Sequence, residues 1–196
     1  PKNGTTWYNL NGTNNGTLLN GTGYNSNNGG SISFDGTNDC INLGNVLNID
    51  TGPFTLEHFA KTSVNLNHYA KLLSKGAYLG GGWTSYFGRD PNSGLYSISL
   101  QYGLTSWNAI SGLGTALTDT WYHIVYTRDE NNILSSYINS VLQNTKTETF
   151  DFTTTRNYIL GGNSNRGELF KGNLAVHRQY NRALSADEVL QNYNAQ

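Results

Sequence analysis

Runs of alternating apolar and polar residues recur along most of this chain, the signature of strands with one buried face. The clearest is Trp121-Tyr122-His123-Ile124-Val125-Tyr126-Thr127-Arg128, aromatic and β-branched, followed by the turn residues Asp129-Glu130-Asn131-Asn132 and then by Ile133 to Asn139. A second tight turn at Asn139-Ser140 leads into Val141-Leu142-Gln143, so residues 121–143 predict a three-stranded meander. Further strands are predicted at 31–34, 40–43, 54–61, 71–74, 84–87, 95–102, 105–110 and 169–180, close to the spacing of β-sandwiches. With no helix between them, these strands cannot form a parallel α/β sheet. The stable alternative is an all-β jelly-roll sandwich of two antiparallel sheets. Helical spacing enters only at the end, in Tyr180-Asn181-Arg182-Ala183-Leu184-Ser185-Ala186-Asp187-Glu188-Val189 and the residues after it. Ser185 and Glu188 form an S-x-x-E capping box, Leu184 and Val189 a hydrophobic staple, and Asp187 suits the positive end of the helix dipole. The predicted helix, 185–194, closes the sandwich with Val189, Leu190 and Tyr193 as its buried side.

Composition sharpens this picture. Charged residues make up 13% of 196, whereas Gly (23) and Tyr (13) are plentiful, which favours strands and turns over helices. A net charge of −1 without a basic cluster argues against nucleic acid as a partner. The lone Cys40 forms no internal disulfide and reads as a buried thiol. No apolar run reaches membrane-spanning length, so membrane insertion is not expected. The chain opens on Pro1 and contains no Met, which reads as a processed product or a piece of something longer. Four Asn-Gly-Thr triplets, at Asn3, Asn11, Asn15 and Asn20, are formal glycosylation acceptors, but Asn-Gly is first a tight-turn dipeptide. One domain is expected, with Asn/Gly-rich leader strands (1–29), the sandwich (30–183) and the closing helix (185–194).

An ordered series of short motifs then carries a resemblance. Phe34-Asp35-Gly36-Thr37-Asn38-Asp39, Phe54-Thr55-Leu56-Glu57, Trp121-Tyr122-His123-Ile124-Val125, Tyr137-Ile138-Asn139, Phe170-Lys171-Gly172 and the Tyr180 to Ser185 segment with Glu188 and Asn192-Tyr193 resemble the laminin G-like branch of the concanavalin A-like lectin/glucanase superfamily, over about residues 30 to 194. The opening Trp7-Tyr8-Asn9-Leu10 with its Asn-Gly repeats resembles the leader of such domains in tailed-phage virion proteins. Against that pattern the chain has Phe59 for Trp, His58 for a small or apolar residue and Ser140 for Gly. His177 and Gln179 stand near aliphatic positions. Ser140 suggests a less strictly left-handed turn. His177 and Gln179 are either hydrogen-bonded inside or on a face open to water.

Glucanases of this superfamily carry acids at E-x-D-x-x-E spacing on one strand, and no such array is present. Glu57 is the only acid in its strand, and Glu148, Asp151 and Glu168 stand in loop-like stretches. His58, His68, His123 and His177 lack zinc-site spacing, no Ser lies in G-x-S-x-G, and nothing near Cys40 suggests an activated thiolate. Asp35, Asn38 and Asp39 offer three hard oxygen side chains for Ca²⁺. The same residues also suit an Asx turn, and three ligands fall short of six to eight. For glycans, Trp83 and Tyr86 beside the Gly80-Gly81-Gly82 connection, with Trp107 and Asn108, are the candidate contacts, while Trp121 reads as core.

The expected function is therefore that of a non-enzymatic adhesion module on the surface of a virion, a phage decoration, head-fibre or tail component. Its partners would be cell-surface or environmental glycans, bound weakly and multivalently, and other virion subunits. The alternatives are a purely structural cementing or spacer domain, a carbohydrate-binding module of a secreted bacterial protein, and a glycosidase with two carboxyl groups roughly 5–10 Å apart.

Overall fold

The computed structural model describes all residues except 1–3, 64–69, 77–80, 90–95, 106–107, 114–115 and 163–167. Two sheets stack face to face. The eight-stranded sheet runs β1 (Thr6–Trp7), β2 (Gly16–Leu19), β5 (Cys40–Gly44), β14 (Tyr158–Leu160), β7 (Lys71–Lys75), β8 (Gly82–Arg89), β9 (Tyr96–Gly103), β10 (Asn108–Leu113). The seven-stranded sheet runs β13 (Val141–Thr147), β12 (Ile133–Ile138), β11 (Tyr122–Arg128), β6 (Phe54–Thr62), β15 (Lys171–Tyr180), β4 (Ser31–Asp35), β3 (Gly23–Asn25). Every strand pair within these sheets is antiparallel. The expected jelly-roll sandwich is the observed fold, and one helix, α1 (Ala186–Asn194), lies on the outer side of the seven-stranded sheet.

Period-two alternation sorts β6 and β11 into two faces. Phe54, Leu56 and Ala60 of β6 join Tyr122, Ile124 and Tyr126 of β11 in the core between the sheets. On the outer face Val125 meets Leu184 and Val189, with Tyr137 and Tyr180 packed around them. The cap of α1 is the expected one: Ser185 accepts from the Glu188 N–H and the Glu188 carboxylate accepts from the Ser185 N–H. Arg182 pairs with Glu188 at 2.7 Å and holds its carboxyl low, at about 2. Of the expected buried side only Val189 is buried. Leu190 faces solvent, and Tyr193, at the edge of exposure, stacks on His123 with centroids 5.8 Å apart.

Three other expectations are corrected. Trp121 is not core: it is one residue out of phase with inward Tyr122, and it lies half-buried outside, stacked on Phe59 at 4.9 Å. Ser140 does not relax its turn, because Asn139 and Ser140 both adopt left-handed backbone, φ 50° and 65°. A strand absent from the sequence reading, β14, sits between β5 and β7, while the leader strands β1 and β2 join one sheet and β3 the other. His177 and Gln179 are partly buried and hydrogen-bonded, His177 to Tyr158 and His58 and the Gln179 amide to the Leu47 carbonyl. No helix among the described residues is long and apolar enough to cross a membrane.

Candidate functional site

At the end of the sandwich where β6 begins and β11 and β15 finish, the loop 45–53 folds over the core and is held from beneath by three side chains. Arg128 is fully buried because it shares the inward phase of Tyr122, Ile124 and Tyr126. Its guanidinium donates to the carbonyls of Asp50, Gly52 and Phe150 at 2.5–3.1 Å and lies about equally close to the rings of Phe54 and Phe152, 5.2 and 5.1 Å from their centroids. Burial lowers its pKa somewhat, opposed by the charges of Asp50, Glu148 and Asp151. Lys75 reaches from the opposite sheet to the Val46 carbonyl and the Asn45 amide oxygen, and burial pulls its pKa down to about 8. Gln179 donates to the Leu47 carbonyl at 3.0 Å, and Leu47 itself is held at φ 54°, a left-handed conformation unusual for a leucine.

The pinned loop and the end of β15 enclose an open recess of about 290 Å³. Its floor is apolar, with Ile49 and Phe54 both nearly inaccessible to solvent. Tyr180 and Pro53 form partly exposed walls, and the exposed side chains of Asn48, Asp50 and Asn181 stand around the recess. One Asp50 oxygen accepts from the Gly52 N–H at 2.6 Å, which fixes that carboxylate at the loop. The exposed polar rim can hydrogen-bond the hydroxyl-bearing edge of a sugar ring, and the partly exposed Pro53 and Tyr180, rather than the buried floor, are the surfaces left for its C–H face.

Behind the recess the core carries a second polar cluster. His58 and His177 stack at 5.0 Å with their Nδ1 atoms 3.1 Å apart, and His177 Nε2 lies 2.9 Å from the Tyr158 hydroxyl. An Nδ1–Nδ1 hydrogen bond requires one ring to donate and the other to accept, so at least one imidazole is neutral. Burial depresses both, His177 to about 4 and His58 well below the ordinary imidazole value.

Glu57 faces the other way, under α1. Its carboxylate is buried and meets His123 Nε2 and Arg178 Nη1 at 2.9 Å, Tyr180 Oη at 3.1 Å and Asn192 Nδ2 at 3.0 Å. Burial alone would raise its pKa. The His123 hydrogen bond, the Arg178 charge and the Tyr180 hydroxyl outweigh burial and hold it below the usual value. Both oxygens are therefore engaged, Oε1 by His123 and Arg178 of the sheet and Oε2 by Tyr180 and, from the helix, Asn192.

The sequence-predicted contacts are not brought together at the recess. Trp83 is completely buried, edge-on to Tyr158 at 5.5 Å, and Tyr86 is buried on the same strand, so neither ring offers a face to a sugar. Asn108 is exposed at the start of β10, and Trp107 lies outside the described residues. For calcium the donor set fits poorly. Asp35 Oδ1 accepts from the N–H groups of Thr37, Asn38 and Asp39, and Asp39 Oδ2 from that of Asp35, so these carboxylates make the Asx turn. No chemistry is derived through a metal there. Asn48, Asp50 and Asn181 were missed in the sequence. The one available signal was the phase of Arg128, an arginine at an inward position of the clearest strand.

A lectin-like jelly roll with a polar-rimmed recess defines a class, and the comparisons narrow it. A family model described as concanavalin A-like lectin/glucanases superfamily matches residues 35–190, and the chain belongs to that family. No curated protein sequence matches. Among solved structures, domain 4 of AbnA, an extracellular arabinanase of Geobacillus stearothermophilus in complex with arabinotriose, is similar at TM-score 0.66 and 20% identity over 95% of this chain and 85% of that one. The Ruminococcus gnavus IT-sialidase CBM40 bound to α2,3-sialyllactose is similar at TM-score 0.60 and 20% identity, over 74% and 84%. The binding domain of Paraclostridial Mosquitocidal Protein 1 reaches TM-score 0.72 at 20% identity over 95% of this chain, which spans 48% of that domain. The chain likewise spans about half the length of a botulinum neurotoxin serotype G binding domain. At these identities the likeness is one of fold.

Proposed function

We propose that this domain is a non-catalytic glycan-binding module acting outside the cell. The observation that carries the reading is the recess: exposed amide and carboxylate side chains over an apolar floor, on a loop immobilised by Arg128, Lys75 and Gln179. Arabinotriose and sialyllactose in complexes of similar domains support it. Glu57, the acid of the central strand, is buried and occupied, which leaves it unfit as a general acid or base. The recess is small and open, so single-site binding is weak and useful adhesion comes from many copies displayed together. On the resemblance of its Trp7 to Leu10 leader, we place the domain on the outer surface of a phage virion. The fit to arabinanase domain 4 over 85% of that chain favours a second reading, a carbohydrate-binding module within a secreted bacterial protein.

The test is a glycan array probed with the purified domain as monomer and as a multivalent display on a scaffold. Expected is weak monomer binding that rises roughly 100-fold or more on display. If the display binds no glycan, the reading fails. Immunogold labelling of intact phage particles separates the virion from the secreted-protein context.

A further inference from the structure

We infer that the recess takes the end of an uncharged saccharide, with Asn48 and Asn181 as hydrogen-bonding residues and Asp50 as the residue that turns acidic sugars away. This rests on the glycan-binding reading and specifies its ligand. Volume sets the size: about 290 Å³ lies at the lower limit of the ~300–1,000 Å³ range of small-molecule clefts, enough for a terminal sugar and not for an extended chain. Chemistry sets the class. The exposed polar side chains at the recess are the Asn48 and Asn181 carboxamides and the Asp50 carboxylate, with Gln179 and Tyr180 only partly exposed beside them, and the exposed three suit the donor and acceptor edges of hydroxyls on neighbouring ring carbons.

Charge excludes the alternative. Among the described residues no Lys or Arg lines the recess. The nearby guanidinium, Arg128, has its Nε, Nη1 and Nη2 turned to backbone carbonyls and lies in the field of Asp50, Glu148 and Asp151. Lys146 is engaged with Glu148 at 3.2 Å. An incoming sialic or uronic carboxylate would meet the exposed Asp50, while Arg182, the exposed cation that follows Asn181 in the chain, is already paired with Glu188 at 2.7 Å. Such like-charge contacts oppose binding.

The experiment compares neutral oligosaccharides (lactose, arabinotriose) with acidic ones (α2,3-sialyllactose, trigalacturonate), all as array glycans, on the multivalent wild type and four variants. Asn48→Ala and Asn181→Ala should each weaken binding of neutral glycans about tenfold, the loss of one hydrogen bond of ~1–1.5 kcal/mol. Asp50→Asn keeps the acceptor for the Gly52 N–H and should bring acidic glycans up toward the neutral ones. The control is Asp119→Asn at the far end of β6, where the Asp119 N–H donates to the Thr62 carbonyl and the left-handed backbone (φ 55°) tolerates asparagine. It should change nothing. Unaltered neutral binding by folded Asn48→Ala and Asn181→Ala variants would overturn the recess as the site while leaving a glycan module standing. Wild-type binding of acidic glycans as tight as that of neutral ones would overturn the ligand class. Absence of all glycan binding removes both this inference and the reading beneath it.

Discussion

Arg128 is the residue whose loss tests most directly whether the loop 45–53 is held from inside. In Arg128→Met the apolar stem remains, but the carbonyls of Asp50, Gly52 and Phe150 lose their donors and Phe54 and Phe152 lose the cation between them. Hydrogen bonds from a charged donor are worth ~1.5–3 kcal/mol each, which for three carbonyls sums to roughly 5–9 kcal/mol gross. Part of this returns. Asp50 and Gly52 are near the surface and rehydrate when the loop loosens, and burying a guanidinium was itself unfavourable. A net loss of about 3–5 kcal/mol follows. In equilibrium urea unfolding, with a slope of ~2 kcal/mol/M, the midpoint should fall by roughly 1.5–2.5 M. Arg128→Lys restores a single charged donor and should recover about a third of the loss by the same hydrogen-bond scale. Amide exchange at residues 50–53 should accelerate in both variants well before global unfolding. A midpoint shift worth less than ~1 kcal/mol in Arg128→Met, with exchange in the loop unchanged, would refute the claim that this side chain holds the recess.

Stability should also depend on pH through the imidazole pair. The folded pKa of His177 is depressed to about 4 from an ordinary value near 6.5, so the unfolded chain binds the proton first and stability falls as pH drops from 6.5 toward 4. At ~1.4 kcal/mol per unit this amounts to about 3 kcal/mol, measurable by urea titration at pH 7 and 4.5 and flattened in His177→Gln. Glu57, held below its usual pKa, destabilises in the same direction only below about pH 4.5, so the upper part of the window belongs to the histidines. Glu57→Leu should cost about 3 kcal/mol by leaving buried His123 and the Asn192 amide without their acceptor, read as a fall in midpoint with early exposure of α1 in amide exchange. Ser185→Ala removes the acceptor for the Glu188 N–H and should cost about 1 kcal/mol in thermal unfolding.

How far these features were legible depended on how local their chemistry is. The start of α1 could be read because a capping box is complete within four residues, and the meander because its strands alternate over seven and six positions. The three residues of β14 are buried on both faces, and a run that short has no alternation to detect. Trp83 was misplaced because its flanking glycines suggested an exposed connection. Gly82 instead pairs with Gly103 inside the sheet, and the indole that follows is buried against Tyr158. Trp121 was misplaced by its composition, although the inward phase of Tyr122, Ile124 and Tyr126 already put it outside. The recess was the least legible part: Asp50 and Asn181 come from segments far apart in sequence, and only the order of strands in the sheet makes them neighbours.

Two of the polar clusters, the one under α1 and the one under the loop 45–53, answer different physical needs, and the contrast bears on function. Glu57, Arg178, Tyr180 and Asn192 tie a helix to the sheet, where Val125, Leu184 and Val189 already bury a hydrophobic contact, so polar and apolar terms act together. The loop 45–53 has only Ile49 and partly buried Leu47 packed on the core, yet Arg128, Lys75 and Gln179 converge on its carbonyls. Buried charges are a poor route to stability, since replacing a buried charge and its partners together by apolar groups of the same volume is commonly neutral or better, whereas removing the charge alone, as in Arg128→Met, leaves its carbonyl partners stranded. What a buried fork of donors does better than a leucine is fix the position of individual carbonyls and hold Leu47 in its left-handed conformation. A connection of nine residues needs no such fixing merely to join two strands. It does if the side chains above those carbonyls must meet a small ligand in a set geometry, because a preordered loop spares the ordering entropy that would otherwise weaken an already small contact.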